Sequence, residues 1–202
     1  MIMRNLELSI GRRFLIRLCA FVILGGLVPA LPGHAVSGEE ASVAYIRKVT
    51  ADMFAAHKQG TISAFLPPIQ RHADIEAIAI YSLGQYESRL TRDQRERYYQ
   101  GVAIFMARYF AEQTRHYRIA KWDIGEASKD RNGDILINTR VTLLTGNSYS
   151  VVWRVAKRGR SFKVTDVKVA GFSLTYFQRG LFVSYIKEKK GDVNKLVAVL
   201  NR

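Results

Sequence analysis

Ile135-Leu136-Ile137-Asn138-Thr139-Arg140-Val141-Thr142-Leu143, then Gly146-Asn147, then Tyr149-Ser150-Val151-Val152-Trp153-Arg154-Val155, is the stretch that decides the fold. Ile135, Ile137, Thr139, Val141 and Leu143 share one face of an extended chain, and Tyr149, Val151, Trp153 and Val155 share one face of the next. Asn132-Gly133 ahead of this pair and Gly159 behind it supply two further hairpin turns. A strand starting at Ile119 and a last one through Phe162 to Val169 complete a four-stranded antiparallel meander. In the last strand Phe162 and Val164 have one parity and Val167 and Val169 the other, so a bulge is expected near Thr165-Asp166.

Helices flank the meander on both sides. Ser37-x-x-Glu40 reads as a capping box opening a helix with Val43, Ile46, Val49 and Met53 on one stripe, ending near Gly60. A short segment from Ile62 to Leu66 should stop at Pro67-Pro68. A second helix is expected from Ala73 to Tyr86. Thr91-x-x-Gln94 reads as the cap of the longest helix, running to about Tyr117. The apolar stripe of that helix, through Tyr98, Val102, Phe105, Met106, Tyr109 and Phe110, is too wide for a single buried face. It implies a sheet on one side, and other helices or a cavity on the other. After Gly171 a helix from Leu174 to Lys190 follows, and Gly191-Asp192 caps a final helix carrying Val193, Leu196, Val197 and Leu200. Helices around a run of strands make an α+β fold in one domain.

The chain has 202 residues, enough for one ordinary domain, and a formal net charge of +14. Its 48% hydrophobic content excludes wholesale disorder. The only cysteine is Cys19, which excludes an intrachain disulfide and a cysteine-built metal site. Residues 1–35 read as an export signal: Arg4, Arg12, Arg13 and Arg17, then an apolar run of 11 residues from Leu18 to Val28, then small residues up to a cleavage point after Ala35. That run falls short of the roughly 20 residues a spanning helix needs. Arg12-Arg13 matches a twin-arginine signal poorly, so the general route is expected. Residues 36–202 are then a single exported domain. In that setting the positive charge has anionic lipid headgroups, an acidic partner surface or nothing specific as its counterpart, and not nucleic acid.

Reactive groups are sparse. His57, His72 and His116 lack metal-ligand spacing. Ser184-Tyr185-Ile186-Lys187 fits S-x-x-K but has no companion motif. Asp166 stands without a carboxylate partner. No catalytic residue, metal or cofactor is expected, and an exported α+β enzyme is the weaker reading. Arg154, Lys157, Arg158 and Arg160 gather at one hairpin, where they form either a solvated turn or a contact for phosphate or an acidic partner.

Two passages carry a resemblance. One is Leu83-Gly84-Gln85-Tyr86 followed by Thr91-x-x-Gln94. The other is Asp166-Val167-Lys168-Val169-Ala170-Gly171-Phe172-Ser173-Leu174, followed by Leu181-Phe182 and Leu196-Val197-x-x-Leu200. In order and spacing they resemble the MlaC family of periplasmic phospholipid-binding proteins, from about Ala73 to Leu200. Phe172 stands where the family usually has Val, and Thr175-Tyr176-Phe177 is less polar than the family's usual residues.

The resemblance implies a periplasmic, monomeric carrier with phospholipid as cargo and no cofactor. Its partners would be an outer-membrane lipoprotein complex and an inner-membrane ABC transporter with an MCE-domain component. A hopanoid or other polycyclic lipid is the alternative cargo. The acyl chains would lie in an apolar cavity between sheet and helices. Candidate lining residues are Ile78, Leu83, Phe105, Tyr109, Phe177 and Phe182 from helices and Val141, Val151, Trp153 and Val169 from strands. Phe172 and Leu174, at the strand-to-helix passage, complete the set. Gly84 and Gly171 are read as hinges or points of close backbone approach.

Overall fold

A computed structural model describes residues 38–202. The export signal, its cleavage point and Ser37 lie outside the described residues. The helices are α1 (Gly38–Gln59), α2 (Ile62–His72), α3 (Ile75–Leu83) and α4 (Arg95–Thr114), then α5 (Leu174–Glu188) and α6 (Val193–Leu200). Between the two groups run β1 (Ile119–Lys129), β2 (Ile135–Leu143), β3 (Ser148–Arg158), β4 (Ser161–Val169) and β5 (Phe172–Ser173). The strands form one antiparallel sheet in sequence order. Arg154 pairs with Asp166 and Val155 with Val164, which leaves Thr165 as the extra residue of the expected bulge.

The sheet has five strands, not four. Val169 faces Phe172 across Ala170-Gly171, whose φ angles are +50° and +89°. Positive φ at both central residues is the tight hairpin turn that suits the strand twist. The hairpin was not legible because two residues carry no periodicity.

The helix expected to stop at Pro67-Pro68 instead continues to His72. Each proline removes a ladder hydrogen bond and crowds the preceding turn. Against that stands burial: Phe65, Pro68, Ile69 and His72 form the inner face of α2. Phe65 and Ile69 pack with Ala103, Ala107 and Ala111 of α4, whose small side chains let the two helices approach. Thr61 caps the start, accepting from the Ala64 N–H at 3.2 Å.

The α3 helix ends at Leu83, three residues before the expected end, and a 3-10 turn from Gly84 to Arg89 follows. Gly84 is a point of close backbone approach, as expected. Its φ is +56°, and a Cβ there would lie 3.0 Å from Val183 and 3.1 Å from Arg179. Thr91 makes no side-chain cap, because Arg92–Gln94 form a 3-10 turn before α4 begins.

Three apolar clusters hold the fold. Leu83, Tyr98, Val102, Phe182, Ile186 and Leu196 join α3, α4, α5 and α6. Phe65, Ile69, Ile78 and the α4 alanines join α2, α3 and α4. Ile46 and Val49 of α1 cover Ile137, Val155 and Val164 of the sheet. In the first cluster the Tyr98 hydroxyl donates to the Ala79 carbonyl at 2.9 Å, and burial pushes its phenol well above the ordinary range. Leu83 is wholly buried there. Leu83→Ala should therefore cost about 2–5 kcal/mol in denaturant unfolding; a loss of under about 1 kcal/mol would mean that this cluster is not tightly packed.

Candidate functional site

One sheet face has two coverings. On β2, Ile135 and Ile137 lie under α1, while Thr139, Val141 and Leu143 of the same parity face an open cleft. On β3, Val155 lies under α1, while Trp153, Val151 and Tyr149 face the cleft. On β4 the division falls between Val164 and Val167. The opposite wall comes from α1 (Thr50, Met53, Phe54, His57), Phe65 of α2, and Tyr109, Phe110, Gln113 and Thr114 of α4. The wide stripe of α4 thus meets helices on one side and this cleft on the other.

The cleft encloses about 480 Å³, within the size range of small-molecule sites. A recess of about 70 Å³ adjoins it. Met53, Tyr109, Phe110, Trp153, Val167 and Leu174 line both spaces. Tyr117 and Tyr149 stand edge to face at 6.5 Å among the lining residues, and Tyr117, Val169 and Phe172 mark the mouth by their exposure.

None of the residues lining the cleft is Asp, Glu, Lys or Arg. Several of its polar groups are turned to internal partners. Trp153 Nε1 donates to Thr139 Oγ1 across the strands at 3.1 Å. The Thr50 and Thr114 hydroxyls donate to the carbonyls of Ile46 and Phe110 at 2.9 and 3.0 Å. Such a surface is uncharged but for the imidazole of His57 and offers mainly apolar contact, which suits hydrocarbon.

His57 is the cleft's titratable imidazole. Burial holds it below its ordinary value, and Nε2 accepts the Ile119 N–H at 3.2 Å, so the proton belongs on Nδ1 facing Thr114 Oγ1 at 3.4 Å. The unfolded chain takes up a proton near pH 6.5, the folded one only at lower pH. The stability contribution is complete above the unfolded value and is lost as pH falls through the folded one. Thermal melting between pH 7 and 5 should therefore show a steeper decline for the wild type than for His57→Gln, whose side-chain oxygen can still accept from Ile119. Equal slopes would remove His57 from the account.

Seven of the twelve candidate lining residues face the cleft: Tyr109, Val141, Val151, Trp153, Val169, Phe172 and Leu174. Ile78, Phe105 and Phe177 line the recess. Leu83 and Phe182 do not reach either space; they sit in the closed cluster between α3, α4 and α5. The contribution of α1 was missed, although Thr50, Phe54 and His57 follow helical spacing one position beyond the core stripe of Ile46, Val49 and Met53.

The basic hairpin lies away from the mouth. Lys157 follows Tyr149 by eight residues along β3, about 25 Å of extended chain. Two of its cations are internally paired: Arg154 with Asp130 and Asp134 at 2.6 and 3.2 Å, and Arg158 with Asp74 at 2.7 Å. Ser184 and Lys187 are both exposed on α5 and share no hydrogen bond. Among the described residues no group of three or more His, Cys, Asp or Glu is placed to hold a metal.

The family model for the MlaC protein matches residues 40–202. The chain belongs to the MlaC family. The match begins ahead of Ala73, so α1 and α2, which build the helical wall of the cleft, are part of the MlaC unit. A solved structure from Ralstonia solanacearum, described as a phospholipid-binding protein in complex with a phospholipid, has the same fold. It aligns with a TM-score of 0.62 at 20% identity, over 78% of this chain and 93% of its own. No curated protein matches the chain. Membership of the MlaC family points to a binding or transport protein.

Proposed function

We propose that this MlaC-family protein is a periplasmic carrier. It encloses phospholipid acyl chains in the cleft and moves the lipid between an outer-membrane lipoprotein complex and an inner-membrane ABC transporter with an MCE-domain component. The observation that carries the reading is the uncharged cleft of about 480 Å³ between sheet and helices. At about 0.8 kcal/mol per CH₂, an acyl chain of about 16 carbons left in water costs on the order of 12 kcal/mol. A lipid crosses an aqueous space only when its tails are covered, and the walls described above can cover them. The headgroup is left at the mouth, beside Tyr117 and Tyr149. No reactive group is required, since the task is enclosure. The phospholipid held by the Ralstonia solanacearum neighbour supports the same reading.

Solvent extraction of the purified, folded protein followed by mass spectrometry tests it. Phospholipid in stoichiometric amount is the expected result. A lipid-free extract from folded protein counts against a carrier, and a polycyclic lipid in its place would replace the cargo.

A further inference from the structure

Nine large hydrophobic side chains are exposed among the described residues, and five of them fall between Val169 and Leu181. Phe172 is 80% exposed and Tyr176 69%. On α5, Tyr176, Phe177, Gly180 and Leu181 share the outward face, opposite the buried Gln178, Phe182 and Ile186. Phe172 is not a loose loop residue. The hairpin turn at Ala170-Gly171 holds it in register with Val169, and the Ala170 N–H is bonded to the Ser150 carbonyl at 2.9 Å. Ala170 adopts a positive φ that L residues seldom take. The fold thus spends conformational strain to hold an aromatic ring in water. Val169, Ala170 and Phe172 also line the cleft, so this apolar corner is continuous with its mouth.

The charge around the corner is mostly positive. From Gly171 to Lys187 the sequence has Arg179 and Lys187 and no acid, Lys168 pairs with Ser173 in the sheet, and the acid of the preceding strand is Asp166. Asp166 is turned inward, its Oδ1 accepting from Val167, Ser173 and Thr175. Gln113 to Asp123, which carries Tyr117 at the mouth, has Arg115, Arg118 and Lys121, with Asp123 beside Lys121 at 3.9 Å. Exposed aromatic rings in a predominantly basic surround match the chemistry of an anionic bilayer surface, where rings seat at the headgroup level and cations meet phosphate.

We propose that Phe172, Tyr176, Phe177 and Leu181 dock the protein on an anionic lipid bilayer with the cleft mouth facing the membrane. The purpose of this docking rests on the carrier reading, because it would let an acyl chain pass from bilayer to cleft without crossing open water. Its geometry does not depend on that reading.

The test uses the chain beginning at Val36, whose apolar clusters draw only on residues from Val43 onward. Cys19 lies ahead of that point, so one introduced cysteine takes one label. Gly180→Cys is suitable, since a Cβ there meets nothing within 4 Å; Lys157→Cys on the β3–β4 hairpin is the control. Each is labelled with an environment-sensitive fluorophore and mixed with phosphatidylglycerol–phosphatidylethanolamine vesicles, or with phosphatidylcholine vesicles. The label at 180 should shift to the blue and be quenched by brominated acyl chains in the anionic vesicles, and less so at high salt; the label at 157 should not change. Unlabelled Tyr176→Ser/Leu181→Ser should bind these vesicles about tenfold or more weakly, with unchanged melting and unchanged extracted lipid. A label at 180 that stays in water at saturating vesicles overturns the proposal. So does a double variant that binds as the wild type, or a label that responds only to a protein partner. If the extract holds phospholipid but the label does not move, docking fails alone. If the label inserts and the extract is empty, docking stands and the carrier reading fails.

Discussion

Val141→Asp is expected to empty the protein without unfolding it. Val141 is half-buried and borders the cleft, where an Asp carboxylate can take water from the open space. The same carboxylate beside an enclosed acyl chain would be desolvated with no cation in the lining to pair with it, a penalty of several kcal/mol. Such a penalty lowers lipid retention by a factor of a hundred or more at roughly 3 kcal/mol. Val155→Asp is the contrast. Val155 faces the same side of the sheet but is 0% exposed beneath Ile46 and Val49. A carboxylate there has no water and no partner, and several kcal/mol is a large share of the roughly 5–15 kcal/mol that stabilises a domain. Extraction with mass spectrometry, beside thermal melting, separates the two: folded and empty for Val141→Asp, largely unfolded for Val155→Asp. Full lipid retention by Val141→Asp would show that the cargo lies elsewhere.

Asp166→Ala carries the second large effect. One oxygen of Asp166 accepts the Val167 N–H at 2.9 Å, the Ser173 hydroxyl at 2.9 Å and the Thr175 N–H at 3.1 Å. Ser173 in turn caps α5 by accepting the Tyr176 N–H at 3.0 Å. The Thr175 hydroxyl donates to the carbonyl of the bulge residue, Thr165. Alanine removes the acceptor on which this passage converges. With hydrogen bonds to a charged group contributing about 1.5–3 kcal/mol each, and not additively, the expected loss is about 3–5 kcal/mol. Asp166→Asn keeps an acceptor oxygen and should lose about 1 kcal/mol. Denaturant unfolding gives the totals. Amide exchange should rise first at Thr175, Tyr176 and Phe177; uniform change along the chain would contradict a local anchor.

The long strands were legible because alternation and turn residues agree: Ile135 to Leu143 and Tyr149 to Val155 are bounded by Asn132-Gly133, Gly146-Asn147 and Gly159. The bulge was legible because a parity shift has no other cheap cause. The Pro67-Pro68 error has the opposite origin. A local rule met a buried face built from Phe65, Pro68 and Ile69 against the α4 alanines, and the burial of that face prevailed. The candidate site was half legible for a similar reason. Parity assigns Val141, Val151, Trp153 and Val169 to the inner face, but it cannot say where α1 stops covering that face, so Trp153 and Val155 look alike in the sequence. On the helices, Leu83 and Phe182 share composition and spacing with Phe105 and Phe177. Only the position of the neighbouring helices decides which of them meet empty space.

The split covering of the sheet has a consequence for how such a molecule can diversify. Anchorage and storage volume occupy different rungs of the same ladder, with the Thr139–Trp153 bond at their border. Changes on the hollow rungs can resize the chamber for another guest while the solid rungs beneath Ile46 and Val49 keep the scaffold standing.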